Sequence, residues 1–470
     1  MQTTKPLRPT LIALALGLAG CAVGPAYQRP TTPEPMAFKE AQGWVAAAPA
    51  DALERGPWWQ LFGDPVLNEL AAGVEVSNQN VAAAVANYAA ARALVAQERA
   101  ALFPTVNLNL SGDRSGVRGQ GADSNYRLNL GGSWEPDVWG RLRAGVTSAR
   151  AGAEASAADL ASARLSAQGE LAANYFTLRA LDAQRALLAR TIAGYERELQ
   201  ITQNRFKVGI VARTDVLQAQ TQLASARGDA LSLDRQRAQF EHAIAILVGK
   251  APAEFALAPL EEWRKGGQVS VPEIPVGVPS TLLQRRPDIA AAERDVAAAN
   301  AEIGIARAAY FPNIGLSGSL GSGGSRVGDL FSASNALWSF GVSAAQSVFN
   351  AGAIRASVAG AEARHQAAVA RYRQTVLNAF ADVEDQLSAT RVLAQQQELR
   401  REASEAADLV EQQVMNRYRA GQVGYSEVVQ AQITALNARR SLVQVQSDRQ
   451  TVAVALIQAL GGGWQAGAQP

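Results

Sequence analysis

The sequence predicts a mainly α-helical protein with a small β part, built from two copies of one long unit. Two proline-free stretches, 137–251 and 313–469, are rich in residues that favour helices, and in each half alternating apolar and polar residues precede the helical part. The segment 204–220 returns 212 residues later as 416–432, with eight of 17 positions identical. So long a period indicates duplication of a whole structural half, since solenoid repeats are far shorter.

The first 20 residues predict a lipoprotein signal peptide. A basic start is followed by an apolar run at 11–18, which is too short to span a bilayer as a mature helix. Residues 18–21 form a bacterial lipobox that ends in Cys21, the only cysteine of the chain. We expect S-diacylglycerol and N-acyl lipid on Cys21, and Ala22 in place of Asp favours the outer membrane. The alternative is an ordinary signal peptide whose cleavage leaves a free thiol.

The first half follows an extended, lipidated segment at 21–64. Its repeat at 65–250 begins with short helices, continues with a β-hairpin at 105–135 and ends in a long helical hairpin at 141–248. The composition of residues 112–124, which are mostly Gly, Ser, Asp and Arg, predicts the loop of the β-hairpin.

The second half repeats this order after an equatorial linker at 251–279. Its repeat at 280–462 comprises a helix, a β-hairpin at 313–345 and a helical hairpin at 353–460, and residues 463–470 form a tail. The sequence therefore predicts four strands in all, as two hairpins.

Both helical hairpins turn within the repeated segment. Gly209 and Gly421 can adopt the left-handed conformation that closes a helix, and Thr214 and Ser426 are expected to cap the returning helices. Hairpins of this length do not fold into a compact globule, so neighbouring copies are expected to cover them.

Four strands pose a problem of closure, because the smallest bacterial barrels use eight. Either the strands form a small soluble sheet, which composition alone slightly favours, or several chains share one barrel. The long hairpins favour the second arrangement, because a ring of subunits would give a shared β-barrel at one end and a shared helical tube at the other. The balance of 44 Lys and Arg against 42 Asp and Glu argues against a nucleic-acid binder.

The sequence predicts neither catalysis nor a metal site. His242 and His365 lie far apart, and no cluster of Cys, His and Asp has metal-ligand spacing. Nothing resembles a nucleotide-binding loop, a nucleophile constellation or a redox site, so we expect no enzyme and no cofactor besides the lipid on Cys21. The acidic cluster at 382–385 is expected to be a solvated helix face or a subunit salt bridge.

Several short motifs, in order along the whole mature chain, carry a family resemblance. They are CAVGPAYQRP at 21–30, WWQLFGDP at 58–65, FP at 103–104, LLQRRPDI at 282–289, FP at 311–312 and FN at 349–350. In this combination the chain resembles the lipoprotein outer membrane factors of the TolC/OprM/NodT type.

The resemblance implies a homotrimer in the bacterial outer membrane, with most of the chain in the periplasm. A twelve-stranded barrel, four strands from each chain, would cross the membrane, and a helical tunnel would cross most of the periplasm. Such a trimer is the passive exit duct of a tripartite efflux pump. A periplasmic adaptor joins it to an inner-membrane transporter, most often of the resistance-nodulation-division class. Typical cargo comprises drugs, dyes, metals and small organic compounds.

The resemblance also assigns roles to the two turns. Gly209, Val211, Gly421 and Val423 would lie at periplasmic tips that meet the adaptor. The motif does not reveal which adaptor docks there.

A periplasmic gate is implied at Glu427, Gln430, Asp215 and Tyr418. Three copies of Glu427 would form an anionic ring that favours cations, whereas Gln430 stands where relatives frequently carry Asp. Asp215 and Tyr418 match a tether of the closed state, but Val423 occupies the position of its Arg. Structural roles stay open, because acidic residues in a first helical turn are favoured by the helix dipole and the Tyr418 ring can serve packing alone.

Two other functions remain open at this point. A related exit duct for type I protein secretion would have the same fold and differ only in its partners. A structural lipoprotein that spaces or tethers the envelope would form the helices without a membrane-inserted barrel and would conduct nothing.

Overall fold

The computed structural model describes residues 23–32, 35, 37–40, 57–117, 121–259, 271–272, 274 and 285–462. The predicted signal peptide, Cys21, the tail at 463–470 and most of the linker beyond residue 259 lie outside the described residues.

The described helices and strands follow the predicted order in both halves. The first half contains α1 (Pro65–Ser77), α2 (Gln79–Ala100), β1 (Thr105–Gly116), β2 (Ala122–Trp134), α3 (Arg141–Lys207) and α4 (Arg213–Leu247). The second half contains α5 (Pro287–Ala308), β3 (Asn313–Gly324), β4 (Ala336–Ala345), α6 (Ala353–Arg419) and α7 (Tyr425–Ala459). The predicted mainly helical fold with four strands is therefore confirmed.

The long helices α3 and α6 have the same length of 67 residues, and the returning helices α4 and α7 both have 35. None of the four contains proline, and Ala, Leu, Gln, Arg and Glu fill most of their positions. The duplication read from the sequence is thus preserved to the residue in the helical hairpins.

Two polar residues set the starts of the short helices. The Asp64 carboxylate caps α1 by accepting hydrogen bonds from the backbone N–H groups of Val66 (2.9 Å) and Leu67 (3.1 Å). Asn78 separates α1 from α2, and its side-chain oxygen accepts from the N–H groups of Asn80 and Val81. A break at Asn78 therefore divides the region into two helices.

The four strands form one antiparallel sheet in the order β1-β2-β3-β4. Strands β2 and β3, which come from different halves, pair directly, so the sheet joins the two repeats. The predicted loop at 112–124 is wrong in extent, because β1 continues to Gly116 and β2 begins at Ala122. The backbone N–H and C=O groups of these glycines and small polar residues form hydrogen bonds with the opposite strand. Composition alone does not reveal that pairing and therefore assigns the segment to a loop.

The described residues divide into two compact units that cut across the sequence repeats. One takes residues up to Thr32 together with Ala86–Ala157 and Ala290–Thr375, and it contains the sheet. Its core includes the fully buried Val296 and Tyr372. Neither unit therefore corresponds to one half of the sequence.

The other unit takes Pro33–Val85, Ala158–Ile289 and the chain from Val376 onward, and it contains both helical turns. Leu171, Tyr175 and Leu456 are among its fully buried side chains. Among the residues that the structure describes, no helix combines the length and the apolar composition needed to span a membrane.

The start of the linker is fastened to the α3–α4 hairpin by a buried ionic cluster. The Asp182 carboxylate accepts from Arg237 (2.7 Å) and Arg179 (3.2 Å), and these arginines also donate to the backbone carbonyls of Leu257 (2.6 Å) and Ala258 (2.8 Å). Both arginines and the aspartate are almost wholly buried, so each charge depends on its partners.

Candidate functional site

The two helical turns have the same backbone geometry. Gly209 and Gly421 both have a φ of +75°, as predicted for residues that close a helix. In each turn the glycine N–H bonds to the carbonyl three residues earlier, and the next N–H reaches the carbonyl five residues earlier, all at 2.9 Å. This is the Schellman arrangement, and it satisfies the last carbonyls of α3 and α6.

The predicted capping roles of Thr214 and Ser426 are wrong. Helix α4 begins at Arg213 and α7 at Tyr425, so the capping positions belong to Ala212 and Gly424. Neither of these makes a side-chain capping bond, and their carbonyls accept the N–H groups three residues on. Thr214 and Ser426 already lie inside the first turn, where a hydroxyl cannot cap.

Apolar side chains surround the first turn. Val208 and Ile210 flank Gly209 and are 70% and 63% exposed, whereas Val211 and Val423 are half-buried. Of the predicted adaptor-contact residues, the two glycines present exposed backbone. Val208 and Ile210 were missed, although two large apolar residues around a turn glycine are themselves a signal of a covered surface.

Tyr418 lies at the base of the second turn in an aromatic pair. Its ring centroid is 5.5 Å from that of Tyr425, and the Arg205 guanidinium lies 5.3 Å from the Tyr418 centroid. The Tyr418 hydroxyl is buried and has no hydrogen-bond partner among the described residues. Asp215, which is half-buried, does not bond to it, so the expected tether is not formed within this chain.

Glu427 and Gln430 share an exposed face of α7. They are one helical turn apart, and both side chains are exposed. Tyr425 and Val428 lie on the opposite face and are buried against Ala219 of α4. Packing within the chain therefore leaves the predicted gate pair facing outward.

Beneath the turns, a relay of two buried glutamines and the half-buried Glu198 connects three helices. Gln432 donates to both carboxylate oxygens of Glu198 at 2.8 Å, and its own amide oxygen accepts from Gln222 at 3.1 Å. The relay ties α7 to α3 and α4 and ends at the Gln222 amide oxygen, which is buried without a partner among the described residues. Sequence reasoning missed it, although Gln432 is the last residue of the repeated segment.

The Glu198 carboxyl titrates above its ordinary range. Burial is the main cause of its raised pKa, and the nearby Glu411 carboxylate adds to it. The Gln432 hydrogen bonds and the Arg419 and Arg197 charges act in the opposite direction without reversing the shift. Burial therefore destabilises the ionised form of Glu198 relative to its protonated form.

The acidic cluster at 382–385 has structural partners. Asp382 accepts from Arg286 at 3.1 Å, and Glu384 accepts the backbone N–H groups of Lys39 (2.7 Å) and Glu40 (2.9 Å). Glu384 thus fixes the described part of the N-terminal segment to α6. No group of three or more His, Cys, Asp or Glu suited to a metal ion occurs among the described residues.

The described segment after Cys21 is held closely against α5. A Cβ on Gly24 would lie 2.9 Å from the Gly304 Cα, so the two glycine backbones are in direct contact. Farther along, Glu293 receives a hydrogen bond from the Tyr27 hydroxyl (3.3 Å) and an ion pair from Arg29 (3.3 Å). Only glycine at position 24 allows this approach.

The sheet has one apolar and one polar face, and residue parity separates them. We call the even-numbered strand residues the apolar face and the odd-numbered ones the polar face, because every paired position in the register has the same parity. Leu108, Leu130, Leu320 and Trp338 are paired in one row across the apolar face and are between 45% and 80% exposed. Asn109, Asn129 and most other odd positions are Asn, Ser or Gly.

The outer edges of the sheet are unpaired. Strands β1 and β4 each pair with one neighbour only, and no other described strand adjoins them. An exposed apolar face is unfavourable in water, and an open strand edge leaves backbone N–H and C=O groups unpaired. The face therefore needs an apolar environment, and the two edges need strands of another chain.

Comparison with known proteins gives a consistent result. The family model described as outer membrane efflux protein matches residues 73–250 and 278–462. A probable efflux pump outer membrane protein, TtgC of Pseudomonas putida, is 34% identical over 97% of this chain and 95% of its own length. The pyoverdine export outer membrane protein OpmQ of Pseudomonas aeruginosa is 32% identical over 98% of both chains. The structure of the outer-membrane channel OprN superposes with a TM-score of 0.85 at 31% identity, over 95% of this chain and all of OprN.

Proposed function

The chain belongs to the outer membrane efflux protein family and acts as the outer membrane channel of an efflux system, and from this premise we propose how it is assembled. Three copies form one duct, and each contributes its four strands to a twelve-stranded barrel. The family is one of channels rather than enzymes, and a passive duct requires no catalytic residue in this chain.

The observation that carries this proposal is the two-faced sheet with open edges. In a closed ring, β4 of one copy would pair with β1 of the next, so that no backbone edge meets lipid. The apolar face would then contact lipid and the polar face would line the water-filled lumen. This arrangement gives the apolar face a lipid environment and gives both open edges a strand to pair with.

The N-terminal lipid is the second membrane contact in this proposal. Cys21 carries the acyl chains, and the Gly24–Gly304 contact holds the chain only three residues later. A single lipid anchor binds a membrane weakly, so the barrel and the lipid together account for stable attachment.

The two turns form the surface for a periplasmic adaptor, which connects the duct to an inner-membrane transporter, most often of the resistance-nodulation-division class. Exposed Val208 and Ile210 beside Gly209 supply apolar area, and Gly421 supplies exposed backbone in the second turn. The gate is proposed at Glu427 and Gln430, with Asp215 and Tyr418 next to it. Support comes from the outward position of the first two side chains and from the Tyr418 hydroxyl, which has no partner among the described residues.

Efflux from cells tests the duct and its gate together. Cells that lack the chain should retain a fluorescent dye and several antibiotics, and the wild-type chain should restore efflux. Glu427→Ala with Gln430→Ala should restore efflux and also admit large antibiotics, because the gate is weakened. Glu402→Ala, which removes an exposed carboxylate from α6, is the matched control and should behave as wild type.

The outcomes separate the rival functions. Unchanged retention with disturbed envelope spacing would favour a structural lipoprotein. Normal drug efflux with loss of a secreted protein would favour a type I secretion duct.

A further inference from the structure

The polar face of the sheet is almost free of charge. Its odd-numbered residues include only three charged side chains in the four described strands, and these are Asp113, Asp123 and Arg127. The other positions are Asn, Ser, Thr and Gly, apart from Leu337 and Ala345 at the two ends of β4. A charge placed on such a neutral surface dominates the local potential.

Arg127 lies farther from the β1–β2 loop than the two acidic residues do. It pairs with Ser111 on one side and Gly323 on the other, whereas Asp113 pairs with Asn125, two residues nearer to the β1–β2 loop. Asp123 lies a further two residues toward that loop, about 13 Å along the strand from Arg127.

The guanidinium of Arg127 is exposed and unpartnered. Among the described residues it forms no ion pair or hydrogen bond, and its neighbour Gly323 offers no side chain. Ion-paired arginines are common elsewhere in the chain, as for Arg141 with Glu135 at 2.8 Å. Arg127 therefore keeps its full charge on the polar face.

We propose that Arg127 sets the charge preference of the outer, membrane-embedded part of the duct and favours anionic over cationic cargo there. The inference rests on the proposed function, in which the polar face lines a lumen shared by three copies. Three guanidinium groups then stand at one level of that lumen, deeper than the acidic residues Asp113 and Asp123.

The dimensions of such a barrel make the effect large enough to measure. Twelve strands about 4.8 Å apart and tilted by about 40° enclose roughly 24 Å between backbones. The axis is thus about 12 Å from the wall, and the long Arg side chain brings its charge nearer, within the Debye length of about 10 Å at 0.1 M salt. Three charges at that range change the local concentration of a monovalent ion about threefold.

This preference opposes the one proposed for the tips. A ring of Glu427 would favour cations at the periplasmic gate, whereas Arg127 would disfavour them in the membrane. Anionic small molecules would therefore meet their main electrostatic barrier at the gate, and cations would meet theirs at Arg127.

Thiol modification from outside the cell tests the inference without requiring an open gate. Asn129→Cys places a reporter on the polar face, two residues from Arg127, and Leu128→Cys places one on the apolar face. Intact cells are treated with a sulfonate-bearing or a trimethylammonium-bearing methanethiosulfonate, and the modification rates are compared. The wild-type chain gives the background from Cys21.

The expected result has two parts. The thiol introduced by Asn129→Cys should be modified faster by the anionic reagent. Adding Arg127→Gln should change each rate by about threefold in opposite directions, which lowers the ratio of anionic to cationic rates by about ninefold in 0.1 M salt and far less in 1 M salt. Arg114→Gln, which removes the same charge from the apolar face of β1, is the matched control and should leave the ratio unchanged.

Two different failures can be distinguished. Modification of Leu128→Cys but not of Asn129→Cys would overturn the proposed barrel and the inference with it. If position 129 is accessible but Arg127→Gln leaves the ratio of anionic to cationic modification rates unchanged, the inference is wrong. The proposed duct would not be affected by that result.

Discussion

At the scale of single residues, Glu198 shows how the helices beneath the turns balance charge against burial. Its carboxylate receives two hydrogen bonds from Gln432, yet its pKa is raised because burial outweighs them. A carboxyl whose pKa is higher in the folded chain stabilises the fold least when it is ionised. Stability contributed by this group is therefore lost as the pH rises from the ordinary value of 4.5 through the raised pKa.

We predict that Glu198→Gln raises the melting temperature at neutral pH. The neutral amide keeps an acceptor for Gln432 and removes the cost of a buried charge. The gain should shrink below about pH 4.5, where the wild-type carboxyl is protonated in both states. Thermal unfolding of the purified protein between about pH 4 and pH 8 measures this.

Glu402→Gln serves as the control for that series. Glu402 is exposed on α6, so its replacement should shift the melting temperature little at any pH. A destabilising Glu198→Gln at neutral pH would show that the charge-assisted bonds of Gln432 outweigh burial.

Two glycines allow a second test by the same substitution. Gly421→Ala should destabilise the chain by about 1–2 kcal/mol, because alanine is strained at a φ of +75° although nothing lies within 4 Å of its Cβ. Gly228→Ala, inside α4 and equally unobstructed, should stabilise it by about 0.5–1 kcal/mol. Equal effects in denaturant unfolding would contradict the assignment of strain to the turn.

At the scale of elements, adjacent residues of the edge strand β4 belong to opposite faces of the sheet. Phe340 belongs to the apolar face and is 70% exposed, and Ser339 belongs to the polar face. In the proposed barrel, one substitution at each position therefore compares the lipid-facing surface with the lumen at nearly the same depth.

We predict that Phe340→Arg weakens insertion by about 2–4 kcal/mol, the cost of an arginine facing lipid near the bilayer midplane. Ser339→Arg should insert normally, because its charge would face water. The amount of trimer recovered from outer membranes measures both variants. Equal recovery would contradict the assignment of the two faces.

The helices and strands were predictable because each pattern depends on local chemistry. Proline-free, Ala-rich segments predicted α3, α4, α6 and α7, and alternation predicted the four strands. Gly209 and Gly421 were predictable as turns, because few other residues adopt the left-handed conformation.

Features that depend on distant partners were not predictable. The outer part of the first β-hairpin was assigned to a loop because its Gly and Ser residues pair only once the opposite strand is present. Helix α4 begins at Arg213, and no side-chain capping bond marks its start. Thr214 was therefore wrongly predicted as the capping residue. Glu198, Gln222 and Gln432 come from three helices, and no local pattern brings them together.

At the scale of the whole molecule, the proposed assembly has two independent attachments, the lipid on Cys21 and the barrel. We predict that a Cys21→Ser chain, exported with a cleavable signal peptide from a non-lipoprotein, still fractionates with the outer membrane. In the proposed trimer, three sheets in a closed barrel would hold it there without acyl chains. Sucrose-gradient fractionation and mass spectrometry measure the location and the absence of lipid.

Recovery of that variant as a soluble periplasmic protein would contradict the barrel. The lipid would then be the only attachment, as expected for a structural envelope lipoprotein. The unmodified chain, processed in parallel, shows whether Cys21 is acylated.

Equal helix lengths in the two hairpins have a consequence for how this protein can evolve. Each helical hairpin has one helix of 67 residues and one of 35, so the two hairpins of one chain are equally long. An insertion in one hairpin alone would displace its turn relative to the other turn. In the proposed trimer, this mismatch would occur three times around the ring. We therefore expect viable length changes to arrive as coordinated insertions in α3, α4, α6 and α7, of about seven residues or two helical turns each.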